Sequence, residues 1–280
     1  MKNCNLLKVN ILLSVAFIYL AFASFTSTVL AQMEYPISVA SDGQQIVIGD
    51  LNLPGVWSVN GGKATKLIEG VKKFKTPLNR VRSVAIDQNG KVLVGDSATR
   101  DVYRIDDGNA IPLTKGQIGI PMSIAVNKAG NLIVADLELG RIYEVPAAGG
   151  EPKKLADVLA PRGVFVDKED VIWVVTGLKD PLIKLDVEGK PIVVVKGRPF
   201  EYPSSVVVDA EGNAFVCDSY AKAVWKIGKE GEPVKWSQGE EFSHPVGLAL
   251  KGDEILLIDS RAKALFSIDK EGKATKVALE

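Results

Sequence analysis

Catalysis and metal binding need particular side chains, and this chain of 280 residues is short of several of them. It has one histidine, His244, so no centre built from several imidazoles, such as a three-histidine zinc site, can be assembled from it. His244 stands directly before Pro245, with no serine or cysteine nucleophile motif beside it. That setting suits a loop histidine bonded to backbone better than a general base. Cys217 lies in the apolar run AFVCD with no adjacent cation to lower its pKa, and reads as a buried, unreactive thiol. Five aspartates, Asp50, Asp96, Asp136, Asp218 and Asp259, close short apolar runs at regular intervals, and Thr176 stands where a sixth would fall. At that spacing they read as turn residues accepting backbone N–H bonds rather than as a calcium ring.

The cations form a second set. Arg82 and Arg162 each occupy the same place in a recurring motif. The segment VKKFKTPLNR carries Lys72, Lys73, Lys75 and Arg80. Together they would make one face basic and fit to accept a carboxylate or phosphate; the segment alone reads equally as a solvated connection. Over the whole chain Lys+Arg and Asp+Glu both total 34, so no global field points to nucleic acid as a partner. With 46% hydrophobic residues the chain can fill a sizeable core.

The elements that must position these residues follow from self-comparison. Residues 1–31 are set aside as a signal peptide: Lys2 and Lys8 precede the apolar run Ile11 to Ala23, and Val29-Leu30-Ala31 offers a cleavage site before Gln32. An uncleaved anchor is the alternative, since no charge falls between Lys8 and Glu34. Either way the expectation is export, to the periplasm, the outside or another non-cytoplasmic compartment, with no stable membrane insertion once the leader is removed. Only Cys217 would then remain, so no internal disulfide is expected.

Residues 32–280 contain six in-phase copies of one pattern, opening at YPISVAS, RVRSVAID, IPMSIAVN, APRGVFVD, YPSSVVVD and HPVGLALK. Each continues through a Gly-bearing turn into a second apolar run, then a third such as DVYRI or AVWKI, then a weaker Lys-rich fourth. Four short Val- and Ile-rich runs per copy read as four antiparallel strands. No run keeps a helical period long enough for a helix. One four-stranded sheet cannot bury both faces, whereas six packed radially can. The fold class is therefore all-β, a six-bladed β-propeller of four-stranded antiparallel blades. Only Gln32 to Glu34 precede the first strand, so the ring is expected to close by packing between blades one and six without strand exchange.

In this frame the prolines open the innermost strands, where a missing N–H is tolerated. Ser38, Ser83, Ser123, Gly163, Ser205 and Gly247 are small because the blades converge there. Ile37, Arg82, Met122, Arg162, Ser204 and Val246 are placed to reach the channel mouth. Trp57, Tyr103, Tyr143, Trp225 and Phe266 recur at one position of the third strand and are expected to pack blade on blade. The outer strand of blade four is unusual: Ile192, Val193, Val194 and Val195 run uninterrupted, an apolar edge open to a partner or to self-association.

Pro-x-Gly/Ser-Val-Ala-Val-Asp followed by a Gly turn and Val-x-Asp, clearest at Pro121 to Val145 and in Pro161-Arg162-Gly163-Val164, resembles the NHL repeat family, and the likeness runs from Tyr35 to Glu280. That resemblance implies a propeller used as a binding platform, with some enzymes among its members. Amidating lyase relatives would need a zinc site of several histidines. Gluconolactonase- and paraoxonase-like propellers, which are also similar, hold a divalent cation at the axis on Glu, Asn and Asp side chains. Only Glu34-Tyr35-Pro36 echoes their opening motif here, and the six mouth positions carry no carboxylate or amide. The reading is an exported, non-catalytic propeller that binds or assembles other proteins, without cofactor or metal. A lactonase-like hydrolase or lyase and a mouth-side sensor of a small anion are the alternatives.

Overall fold

The computed structural model describes residues 33–52, 55–73 and 75–279; the leader at 1–31 lies outside them. Six sheets form, each of four antiparallel strands hydrogen-bonded in chain order. Their innermost strands are Pro36–Ser41, Val81–Ile86, Pro121–Val126, Pro161–Val166, Pro203–Val208 and Pro245–Lys251. Each packs on the next around the axis, and Pro245–Lys251 returns to Pro36–Ser41. The ring closes with no strand exchanged between blades. It is a six-bladed propeller.

There is no single central core. Six apolar clusters lie one at each blade interface, and the second strand of a blade feeds two of them. In blade one Val47 points into the interface with blade two while Ile46 and Ile48 point into that with blade six. Both faces of these strands are covered, which is why runs such as VLVGD are apolar up to the closing aspartate and buried at every position. Each fully buried Val or Ile contributes about 2 kcal/mol, so the interfaces carry the stability of the ring.

Trp57, Tyr103, Tyr143 and Phe266 are buried in clusters shared with the preceding blade, and Trp225 packs against the cluster between blades four and five. At the same register blade four has Ile183, paired with Val174. Where blade six meets blade one, Val277 and Leu279 pack against the cluster holding Met33 and Trp57.

Candidate binding site at the channel mouth

The residue after each strand opener is skipped by the sheet. In blade one Pro36 pairs with Asp50 and Ser38 with Gly49, leaving Ile37 as a bulge, and the same break recurs in all six blades. A β-bulge bends the strand and re-aims a side chain. Here it leaves Ile37, Arg82, Met122, Arg162, Ser204 and Val246 half-buried at one end of the axis. The channel below, about 360 Å³, is lined by aliphatic side chains, Met122, Phe165, serines and backbone, and Arg162 is its one charged lining residue.

The two arginines therefore part company. Arg82 does not line the channel: its Nε donates to Ser97 Oγ at 3.1 Å within its own blade, and burial together with the nearby Arg80 holds its pKa below the ordinary guanidinium value. The expectation of a pair at a common mouth gives way to one guanidinium, because a bulge residue can turn toward its own turn as readily as toward the axis. Arg162 lies with Cζ 3.7 Å over the ring of Tyr202, and its Nη1 donates to the carbonyl of Pro203 at 3.1 Å. Tyr202 stacks on Tyr220, ring centres 5.0 Å apart, and Tyr220 tilts against His244 at 6.1 Å. Cation and rings form a ladder from blade four across blade five to blade six. Burial and the charge of Arg261 push the His244 imidazole below its ordinary pKa, against a smaller opposing pull from Asp259.

Beneath this face the strand-ending aspartates do more than hold a turn. Asp218 accepts Ala221 N in its turn at 3.3 Å, and also Glu201 N and Tyr202 N, both at 2.8 Å, from the segment leading into the innermost strand. Asp259 does the same for Ser243 and His244, Asp136 for Gly119 and Ile120, and Asp50 for Glu34 and Tyr35; Asp96 takes Arg80 N. All five are fully buried. Their oxygens are spent on backbone N–H groups and, in Asp96, also on the Thr99 hydroxyl at 2.7 Å. Blade four differs, for Thr176 Oγ1 accepts only Leu178 N, at 3.3 Å.

The remaining predicted residues do not line the channel. Lys72, Lys73, Lys75 and Arg80 are exposed on a connection pinned by the buried Leu78, and Lys72 Nζ stands 4.0 Å from a carboxylate oxygen of Glu34. On the rim of blade four Ile192 and Val193 are 52% and 41% exposed, but Val195 is 1% exposed inside the cluster between blades four and five. The edge is thus two residues long and not four. The chain bulges at Val194, and the blade-five turn comes so near that a Cβ on Gly231 would lie 2.6 Å from the Val194 carbonyl. Cys217 is fully buried, its thiol pushed up to about 12 by desolvation, with Ser204 Oγ at 3.2 Å.

Two features escaped the sequence reading. The small serines are also bridges between blades. Ser38 Oγ accepts Val84 N, Ser123 Oγ accepts Val164 N, Ser205 Oγ accepts Leu248 N, and Ser83 Oγ donates to the carbonyl of Pro121. The tyrosine ladder was also missed, although Tyr202 opens a copy of the repeat and Tyr220 sits two residues beyond Asp218; an aromatic at equivalent exposed turns was the available signal.

As a metal centre the mouth is unsuited. Its six bulge residues offer one inward guanidinium, a thioether, a hydroxyl and aliphatic groups, where a hard divalent cation wants converging oxygen ligands. Among the described residues no three His, Cys, Asp or Glu side chains gather to hold an ion.

Comparison with solved structures gives many likenesses over most of the chain. A gluconolactonase from Xanthomonas campestris aligns with a TM-score of 0.70 at 15% identity, over 85% of this chain and 86% of that one. The structure of a nidogen/laminin complex aligns at 0.68 and 15%, over 86% and 90%. Virginiamycin B lyase from Staphylococcus aureus aligns at 0.66 and 15%, over 87% and 84%. These likenesses show the fold. No family model and no curated protein sequence matches the chain.

Proposed function

We propose that this protein is an exported, non-catalytic β-propeller that binds another protein, as an assembly module or an accessory subunit, through the mouth face of blades three to five. The observation that carries this reading is the placing of exposed apolar and aromatic side chains. Leu139, Leu159, Leu178, Tyr202 and Tyr220 are 36–69% exposed, and all five sit on connections at the mouth end of neighbouring blades. A cluster of large apolar groups beside a stacked arginine has the composition of an interface centre rather than of ordinary surface. The nidogen/laminin complex supplies a propeller of this fold in a protein assembly, while the lyase and gluconolactonases supply enzymes on it, so fold alone does not choose. The donor set at the mouth weighs against a lactonase-like metal enzyme. A small-anion sensor is the second reading, favoured by Arg162 as the channel's one charged lining residue.

The test is capture of partners from the envelope fraction by wild-type protein, by the variant Leu159→Asp, Leu178→Asp, Tyr220→Asp, and by the rim variant Val193→Lys. The same partner should bind wild type and the rim variant and be lost with the mouth variant. Retention by the mouth variant, with loss from the rim variant, would move the interface to the edge of blade four. Turnover of lactones dependent on added calcium would overturn the non-catalytic reading.

A further inference from the structure

Blade four keeps the backbone of its neighbours but lacks their buried carboxylate. Gly177 N donates to the carbonyl of Ala160 at 3.0 Å, as Ser219 N does to Tyr202 in blade five. The lead-in residues Leu159 and Ala160 occupy the positions of Glu201 and Tyr202, whose N–H groups Asp218 accepts. Thr176 is too short to reach them, and its hydroxyl is used by Leu178 N. Among the described residues the N–H groups of Leu159 and Ala160 have no acceptor.

The same place holds Arg162, the channel's one charged lining residue. A Cβ added to Gly177 would lie 2.7 Å from Arg162 Nη2 and 2.8 Å from both Cζ and Nε, near-equal distances that set the backbone following Thr176 over a face of the guanidinium rather than across its edge. Nη1 is committed to Pro203, and a flat face is held by Tyr202. What remains is the Nε–Nη2 edge, the pair of parallel donors that matches a carboxylate, already oriented by stacking and with no carboxylate partner among the described residues. The other ionisable groups nearby are occupied: Asp180 accepts Gly197 N at 2.6 Å, and Asp218 is used as above.

We propose that the lead-in of blade four is a carboxylate-binding site, in which a ligand carboxylate supplies from outside the group that aspartate supplies from within in the other five blades. Arg162 Nε and Nη2 hold its oxygens, the N–H groups of Leu159 and Ala160 complete the cradle, and exposed Leu159 and Leu178 flank it. Fixed donors beside an apolar rim suit a carboxylate borne on a larger molecule better than a freely solvated ion. As a contact with a partner's acidic side chain the site rests on the mouth being a protein-binding face; as a site for carboxylate it stands by itself.

The test is a titration of ¹⁵N-labelled protein with acetate at constant ionic strength, followed by the blocked peptide acetyl-Ala-Glu-Ala-amide. Saturable shifts are expected at the amides of Leu159, Ala160 and Gly177 and at Arg162 Nε–H. Arg162→Gln should weaken binding at least tenfold, and Arg82→Gln should leave it unchanged. Thr176→Asp, which installs the missing internal carboxylate, should also weaken it at least tenfold; should that variant not fold, Arg162→Gln decides. Shifts spread evenly over exposed lysines and arginines, or retained in folded Arg162→Gln, would overturn the site. Tenfold tighter binding of the peptide than of acetate assigns the carboxylate to a protein, and equal binding assigns it to a small free acid. If a partner is captured at the mouth while acetate and peptide leave Leu159 and Ala160 unmoved, this inference fails and the function stands; the converse result fails the function alone.

Discussion

Blades four and five stand side by side, share strand order and register break, and differ in how their lead-ins are held. In blade five Asp218 ties Glu201 and Tyr202 to the second strand. In blade four Thr176 makes no such tie, Ala160 adopts a φ of 50°, and Leu159 is 69% exposed. A chain built of single copies could not easily give up a buried hydrogen-bonded carboxylate. In a closed ring the neighbours on both sides hold a weakened blade in place, since stability is shared among the interfaces. The copy that departs from the repeat is then free to expose backbone donors and an oriented guanidinium, and departure from a repeat is where function is affordable.

The sharpest way to break this comparison is to remove the tie where it exists. Asp218→Ala leaves two lead-in N–H groups and a turn N–H without their charged acceptor and is expected to cost about 3 kcal/mol. Thr176→Ala removes one long bond and is expected to cost about 1 kcal/mol or less. Urea unfolding of both variants checks the difference. Equal losses would mean that the lead-in of blade four is held by something other than the pattern described.

A second, smaller contrast lies one position into each innermost strand past the bulge. Ser205 Oγ reaches Leu248 N of blade six at 3.2 Å, whereas Gly163 in blade four has no side chain, and a Cβ there would meet the Ser204 carbonyl and Ser205 Cα, both at 3.0 Å. Both partners are backbone and cannot swing aside. Gly163→Ala is therefore expected to cost about 2 kcal/mol through overpacking, and Ser205→Ala about 1 kcal/mol through one lost hydrogen bond. Should Gly163→Ala be neutral, blades four and five would not be pressed together at the axis as the geometry requires.

The repeat made the fold legible, because each strand type recurs six times and the second strands, buried on both faces, carry unbroken apolar runs. The Asp series was legible as turn chemistry, and its gap at Thr176 was visible. What the gap does was not legible. The bonds from Asp218 to Glu201 and Tyr202 join residues 17 and 16 apart, and no local pattern announces them. Side-chain direction at the bulge was likewise hidden. Arg82 and Arg162 hold equivalent positions, yet one turns to Ser97 of its own blade and the other to Tyr202 of the next. Val195 was read as an edge residue because outer strands face solvent; the bulge at Val194 turns it inward to face blade five.

The smallest effect extends the comparison to blade six, whose lead-in ends in His244. Its backbone N donates to Asp259, while its ring rests by Tyr220 near Arg261. Burial and that arginine lower the imidazole pKa in the folded chain, so the unfolded chain takes up the proton first as pH falls. The contribution of neutral His244 is thus complete above the ordinary value of about 6.5 and is lost as pH drops through it, until the folded group itself is protonated. Because the ring is partly exposed, solvent screens the charge, and the loss is a small fraction of that expected for Asp218→Ala. Between pH 7 and pH 5 the urea midpoint of wild type should fall slightly more steeply than that of His244→Gln, which cannot titrate. A steeper fall in the glutamine variant would reverse the sign and place a stabilising, protonated His244 at the end of the ladder.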